Sequence, residues 1–392
     1  MGKRIKILVL VVIVAALLYL GVALYFGLFP FEKIDAVPVE PFISFKHNEQ
    51  NLFELKYYPC SDVQVFDLSV SRDGADIFFG TDRKSVVLTD NRGDLKWERD
   101  LESDPLQTKI SACGQYLAIG TSSGSLFLLK ENQEVIRESD FESPITHLSL
   151  SSSGEWLVSG SKNNDNSDLL TYYNHRTGQE WDMETETILC LTASPDDREI
   201  YYTEKGEDSC STVVLDLQGK ELWRIDGSEL RALSPAGNFS AMQDEIGNIV
   251  ACNNLMEEIW RKKWGTDPVE VFINPAGDRM LVFDKQSSRK SNLYFLNAQG
   301  KLIWKNLVDA DARVVFSPDG RGIIYCAGVP ENRGNKTKEG FSRMVVVNEK
   351  GEPSREIDLP INVERVVASP CGNVFVIGND SGMYQVNLFG RE

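Results

Sequence analysis

The chain has 392 residues, 42% of them hydrophobic, with 58 acidic side chains against 41 basic and a net charge of −17. Such an acid surplus, without any basic stripe, argues against a nucleic-acid partner; it leaves an acidic surface that aids solubility or attracts a basic partner or divalent cations. The length allows two or three ordinary domains, yet the pattern changes only once, near residue 50, so one large domain over residues 51–392 is expected.

Residues 1–6 carry Lys3, Arg4 and Lys6 and are read as a cytoplasmic N-terminus. Ile7 to Phe29 is a 23-residue apolar run without a charged side chain, long enough to cross about 30 Å of hydrocarbon as a helix. The competing reading is a signal peptide, whose shorter apolar core and small-x-small cleavage site do not fit this stretch. Basic residues before the span, with Glu32, Lys33 and Asp35 after it, predict a single N-in signal anchor in the cell membrane. The rest then lies outside the cytoplasm, in the periplasm or at the cell surface. Residues 30–50, with Pro30, Pro38 and Pro41, read as an extended linker.

From there a short strand runs into a tight turn eight times: Ser71 to Gly74, Ser111 to Gly114, Ser151 to Gly154, Ser194 to Asp197, Ser234 to Gly237, Asn274 to Gly277, Ser317 to Gly320 and Ser369 to Gly372. Successive turns start 40, 40, 43, 40, 40, 43 and 52 residues apart. In the copy 65–99, four short strand-like runs are separated by Asp/Asn-Gly-type turns, as in an antiparallel meander. A period near 40 with four strands per repeat predicts an all-β, eight-bladed β-propeller, with seven blades as the alternative. The last copy supplies three strands. The run 51–58 is expected to provide the fourth, closing the ring by pairing the N- and C-terminal strands.

A second turn repeats with an aromatic three or four residues on: Gly93 with Trp97, Gly178 with Trp181, Gly219 with Trp223 and Gly300 with Trp304, while Trp260 stands in place without the Gly. These tryptophans are expected to fill the wedge between blades. Together with the Ser-Pro-Asp-Gly turn, this D/N-x-x-G-x-x-x-W pattern resembles the quinoprotein-like (PQQ-repeat, WD40-like) propellers over about 85% of the chain. The resemblance implies either of two branches. The enzymatic one holds pyrroloquinoline quinone between a tryptophan and a vicinal Cys-Cys disulfide, beside calcium and a catalytic Asp. This chain has no adjacent cysteines, and its tryptophans belong to outer strands. The non-enzymatic branch, which includes propeller lipoproteins of outer-membrane assembly machinery, is closer in role, although no lipid-attachment Cys follows the span.

The expected function is therefore a membrane-anchored, extracytoplasmic protein-binding or assembly scaffold with no cofactor and an unidentified protein partner. The alternatives are a PQQ/calcium-dependent dehydrogenase-like enzyme and a sensory or solute-binding module. Tight turns occupy one face of such a blade. The opposite face carries the connections of variable length, Lys162 to Asp168, Glu204 to Ser209, Lys285 to Ser291 and Val329 to Gly340, where binding residues are expected. Candidate binding residues on that face are Glu102, Asp104, Glu142, Glu184, Glu186, Asp226, Asp267, Asp309 and Asp311, with Asp358 beside them and Arg333, Lys336 and Lys338 on the longest loop. Four residues before each turn stand Asp67, Gln107, His147, Cys190, Leu230, Glu270, Arg313 and Arg365, expected to line a wet channel. His47, His147 and His175 show no metal-ligand spacing, and Asn164 to Asp168 has calcium-loop composition without an EF-hand's Gly and Glu. The seven cysteines include no Cys-x-x-Cys pair and read mostly as buried thiols on strands.

Overall fold

Each copy folds around its Ser or Asn turn. In the first, the Ser71 carbonyl accepts from the Gly74 amide at 2.8 Å, and the Ser71 hydroxyl accepts from the Asp76 amide at 2.9 Å while donating to Asp73 Oδ1 at 2.7 Å. The side chain thereby satisfies a backbone donor that the tight turn would otherwise leave buried and unpaired. Ser111, Ser151, Ser194, Ser234 and Ser317 repeat that hydroxyl bond to the fifth residue on, and Asn274 makes it with its amide oxygen. Asp197 holds a left-handed conformation (φ 59°) where the other copies have Gly. Its carboxylate accepts from the Ser152 and Ser153 amides of the preceding copy at 2.6 and 2.7 Å, which offsets the backbone strain.

The computed structural model describes residues 54–61, 65–91, 94–164, 167–207, 209–264, 269–285, 290–317, 319–330, 337–359, 363–368, 373–378 and 381–387. The expected span 7–29, the linker 30–50, and Asp267, Arg333 and Lys336 lie outside them. No helix among the described residues is long and apolar enough to cross a membrane. Among the described residues the strands pair into eight four-stranded antiparallel sheets, and the architecture is an all-β propeller. Seven sheets use consecutive strands, over 65–100, 105–140, 145–185, 187–226, 228–263, 270–309 and 313–359. The eighth runs Glu54–Ser61, Ser381–Asn387, Asn373–Gly378, Val363–Ala368 in spatial order, with Glu54 opposite Asn387. Its outermost strand thus comes from the N-terminal side of the repeats and leaves no unpaired edge in its interior.

The core lies between neighbouring sheets. Phe78, Val86 and Leu88 of the first pack on Leu117, Ile119, Phe127 and Leu129 of the second, and Trp156, Leu170 and Tyr172 of the third pack on Ile200, Tyr202 and Val213 of the fourth. Each such side chain contributes about 1.5–3 kcal/mol by burial. On the outermost strands, Trp97, Trp181 and Trp260 reach the next sheet and donate their indole N–H to the carbonyls of Glu131, Leu217 and Ala298 at 2.6, 3.0 and 2.9 Å. Gly300 (φ 69°) is required there, because a Cβ would sit 2.8 Å from the Trp260 ring. The outermost strand of the second sheet has Arg137 in the tryptophan's place, and nothing lies within 4 Å of a Cβ built on Gly178 in the next sheet. Trp223 is followed in the next sheet by a turn built on Met256 (φ 58°) instead of Gly, and the residue is 47% exposed. Of this series, Trp223 is therefore an exception to the expected wedge filling.

Candidate functional site

Backbone bonds between turns separate the two faces. The Arg72 amide donates to Ala112 O, and the Ala112 amide to Ser152 O, chaining the Ser turns of the first three sheets. On the other face, the Leu101, Phe141 and Trp264 amides donate to Lys84, Gly124 and Gly247 carbonyls, joining sheet-to-sheet connections to second-to-third turns.

That second face differs from expectation in its loop lengths. Lys162 to Asp168 is a hairpin in which Asn164 pairs with Ser167, and the strands about Glu204 to Ser209 extend to Lys205 and resume at Cys210. The Val329 to Gly340 projection is shortened as well: strands run to Pro330 and from Thr337, with Pro330 opposite Thr337, so Lys338 falls on a strand. Alternation simply continues into residues whose composition reads as loop. Asp168 is not a loop ligand. It is buried, and its carboxylate accepts from the Ile188 amide at 2.7 Å. Among the described residues no group of three or more His, Cys, Asp or Glu is placed to hold a metal ion.

The acidic candidates sit on sheet-to-sheet connections or strand ends. Glu102, Glu142, Glu186 and Asp311 are exposed and form no ion pair among the described residues, whereas Asp309 pairs with Lys290 at 2.8 Å and Asp358 with Arg343 at 2.7 Å. Glu184 accepts from Asn163 Nδ2 and Asp226 from the Ser211 hydroxyl. Asp104 is half-buried. Glu184 and Glu186 come together with Glu204, Glu207, Glu221 and Arg224 around a groove of about 1100 Å³ between the third and fourth sheets. There Arg224 bridges Glu204 at 2.6 Å and Glu221 at 3.0 Å, and burial pushes the Tyr202 phenol up.

The channel positions divide. Glu270, Arg313 and Arg365 line a cavity of about 610 Å³ with Cys190, Glu229, Arg231 and Glu364. Gln107 and His147 stand half-buried on their innermost strands. Burial holds the His147 imidazole below its usual value. Asp67 is not a channel group: it is 8% exposed and accepts from the Thr108 amide, Lys109 Nζ and Arg365 Nη1, each at 2.9 Å. This cluster joins the eighth, first and second sheets, and Arg313 Nε donates to the Glu364 carbonyl between the seventh and eighth. Leu230 is buried, and Glu229 and Arg231 of the same strand form an ion pair at 2.8 Å at the cavity. The cause is register. The innermost strands of the first four sheets shift two residues earlier relative to their turns, at Val65/Asp67 for example, whereas the fifth shifts at Leu230/Ala232, which turns Leu230 away. At the tight-turn end of the channel, a cavity lined by Leu233, Pro235, Phe272, Pro275 and Phe316 has no charged side chain among the described residues, whereas the adjoining one lined by Ser149, Thr192 and Leu233 includes Arg72.

Cysteine placement is mixed: Cys252 and Cys326 are buried, Cys190 and Cys210 partly so, and Cys113 is exposed in its turn, all as free thiols. Burial pushes Cys252 up to about 11.

No protein-family model and no curated protein matches the chain. Among solved structures it is similar to BamB from Moraxella catarrhalis, at 12% identity and a TM-score of 0.58 over 84% of this chain and 99% of that one. It is also similar to Sqt1 of Saccharomyces cerevisiae (11%, 0.62, 84% and 97%) and to the Cps50 (Swd1) β-propeller domain of Myceliophteria thermophila (12%, 0.53, 85% and 98%). At these identities the likeness is one of fold.

Proposed function

We propose that this protein is a membrane-anchored, extracytoplasmic propeller that binds protein through the face carrying its sheet-to-sheet connections. The observation that supports this most is the asymmetry of the faces. On one side the first three tight turns are tied to one another by backbone bonds, beside a channel end lined mostly by apolar side chains. The other side presents Glu102, Glu142, Glu186 and Asp311 without ion-pair partners, next to the acidic groove of the third and fourth sheets. Carboxylates in that state raise the local concentration of a cationic surface and accelerate its docking. The partner is accordingly a protein with a basic patch, and no cofactor is assigned. Charge reversal tests the reading: Glu102→Lys, Glu142→Lys and Glu186→Lys together should abolish partner recovery from membranes while leaving the melting temperature within about 2 °C. Unchanged recovery overturns it.

A further inference from the structure

Charge and apolarity separate along the channel on the side of the fifth to eighth sheets. Their innermost strands are charged early and apolar late: Glu229-Leu230-Arg231-Ala232-Leu233, Glu270-Val271-Phe272-Ile273, Arg313-Val314-Val315-Phe316 and Glu364-Arg365-Val366-Val367. Each strand runs from a sheet-to-sheet connection toward its Ser or Asn turn, so the charged residues meet at one level and the apolar ones at the next. The first level borders the cavity of about 610 Å³. The second borders a cavity of about 370 Å³ whose only polar side chain among the described residues is Ser317. Phe272, Val315, Val366 and Val367 belong to both walls, which puts an apolar section directly beneath the arginines.

The charges of the larger cavity do not cancel. Arg231 pairs with Glu229, Lys285 bonds Glu270, and Asp67 is shared by Lys109 and Arg365. Arg313 forms no ion pair among the described residues: its Nε and Nη1 donate to the carbonyls of Glu364 and Asp311 at 2.7 and 3.2 Å. Glu364 is the one cavity acid without an ion pair among them. With their partners, the cavity groups number five bases (Arg231, Lys285, Lys109, Arg365, Arg313) against four acids (Glu229, Glu270, Asp67, Glu364), in a chain of net charge −17. The Arg231 Nε is moreover buried without an acceptor. Guanidinium groups held partly away from water call for an anion at this level.

We propose that the channel binds a small amphipathic carboxylate, its head on Arg313 beside Arg231 and Arg365 and its tail along Phe272, Val315 and Val367. A single surplus charge suits a monoanion better than a phosphate, and a carboxylate matches the planar guanidinium through two parallel bonds. The apolar section favours a molecule with a tail over an inorganic ion, which would leave Phe272 and Val315 facing water. The site needs neither a protein partner nor a membrane anchor, so its failure leaves the protein-binding reading untouched.

The full chain in a neutral maltoside detergent is dialysed to equilibrium at neutral pH against phenylbutyrate, its primary amide or phenylbutylamine. Equal detergent on both sides cancels partition into micelles. Phenylbutyrate should bind about tenfold or more tighter than the amide, the margin of a charge-assisted hydrogen bond, and the amine should not bind. Acetate, which has no tail to bury, should not compete. Arg313→Ala should bring the acid down to the affinity of the amide, while Val315→Trp, which fills the apolar section, should abolish binding of both. No binding of phenylbutyrate at millimolar concentration overturns the proposal, as does equal binding of acid and amide, tighter binding of the amine, or competition by acetate. An acid preference that survives Arg313→Ala in a folded chain places the head elsewhere and also overturns it. Arg313 bridges the seventh and eighth sheets, so where that variant or Val315→Trp fails to fold, the ranking of acid, amide, amine and acetate on the unaltered chain decides.

Discussion

Removing the Asp67 carboxylate should loosen the ring where its last sheet meets its first. Asp67 is 8% exposed and accepts three hydrogen bonds at 2.9 Å from groups on two neighbouring sheets. Asp67→Ala leaves the Thr108 amide, which is buried, without its acceptor, worth about 1–2 kcal/mol. It also strips the carboxylate from Lys109 and Arg365, whose side chains remain 32% and 48% exposed and can turn to water. That screening limits the ionic share to about 1 kcal/mol, below the roughly 3–5 kcal/mol for breaking a fully buried pair. The total of about 2–3 kcal/mol corresponds, for a single domain of this size, to a drop of roughly 3–4 °C in melting temperature, measured by calorimetry on the full chain in detergent. Asp67→Asn keeps an oxygen for Thr108 and should lose less than half as much. A cycle with Arg365→Ala should give a coupling of about 0.5–1 kcal/mol. Additive losses, or an Asp67→Ala chain that melts like the parent, would refute the closure role.

Gly300→Ala combines a left-handed φ with a Cβ 2.8 Å from the Trp260 ring and should cost about 2–3 kcal/mol, with a red shift of tryptophan emission. Gly178→Ala has the same backbone strain (φ 71°) and open space, so it should cost only about 1 kcal/mol; equal losses contradict the wedge account. The pH dependence has a definite sign. Burial depresses the imidazole pKa of both His147 and His175, so the unfolded chain, titrating near 6.5, binds protons first on acidification. Their contribution is full above about pH 6.5 and is lost below it, by at most about 1.4 kcal/mol per pH unit for each group. His175 lies tilted against Tyr116, ring centroids 4.9 Å apart, with Nε2 buried and unpaired, so His175→Phe should flatten the slope of denaturation free energy between pH 6.5 and 5; an unchanged slope counts against it.

The propeller was legible in the sequence because its signal is local and repeated. Ser71 and its counterparts recur at a nearly constant interval and make the same side-chain bond in every copy where they are described, while the indole bond of Trp97 recurs at Trp181 and Trp260. The site was legible only in part. Channel lining depends on the parity of the innermost strand, and a bulge displaced by two residues exchanged Leu230 for Glu229 and Arg231 with no mark in composition. Asp67 has the same spacing as Gln107, yet Lys109 and Arg365 draw it into a sheet interface, a contact set by residues 42 and 298 positions away. Loop lengths were overestimated at Lys162 to Asp168 and Val329 to Gly340 because polar residues continue as strands once a neighbour supplies hydrogen bonds. Which acidic groups are already paired, Asp309 and Asp358 against Glu102 and Glu186, is settled by cross-strand register.

Photo-crosslinking from each face in turn tests the binding account most directly. A photoreactive side chain placed at Glu102, Glu142 or Glu186 should trap a single basic protein in intact membranes. The same group at Asp73 or Ala236, on the Ser-turn face, should trap none above background. Adducts from Asp73 and Ala236 with silence at Glu102, Glu142 and Glu186 would contradict the account.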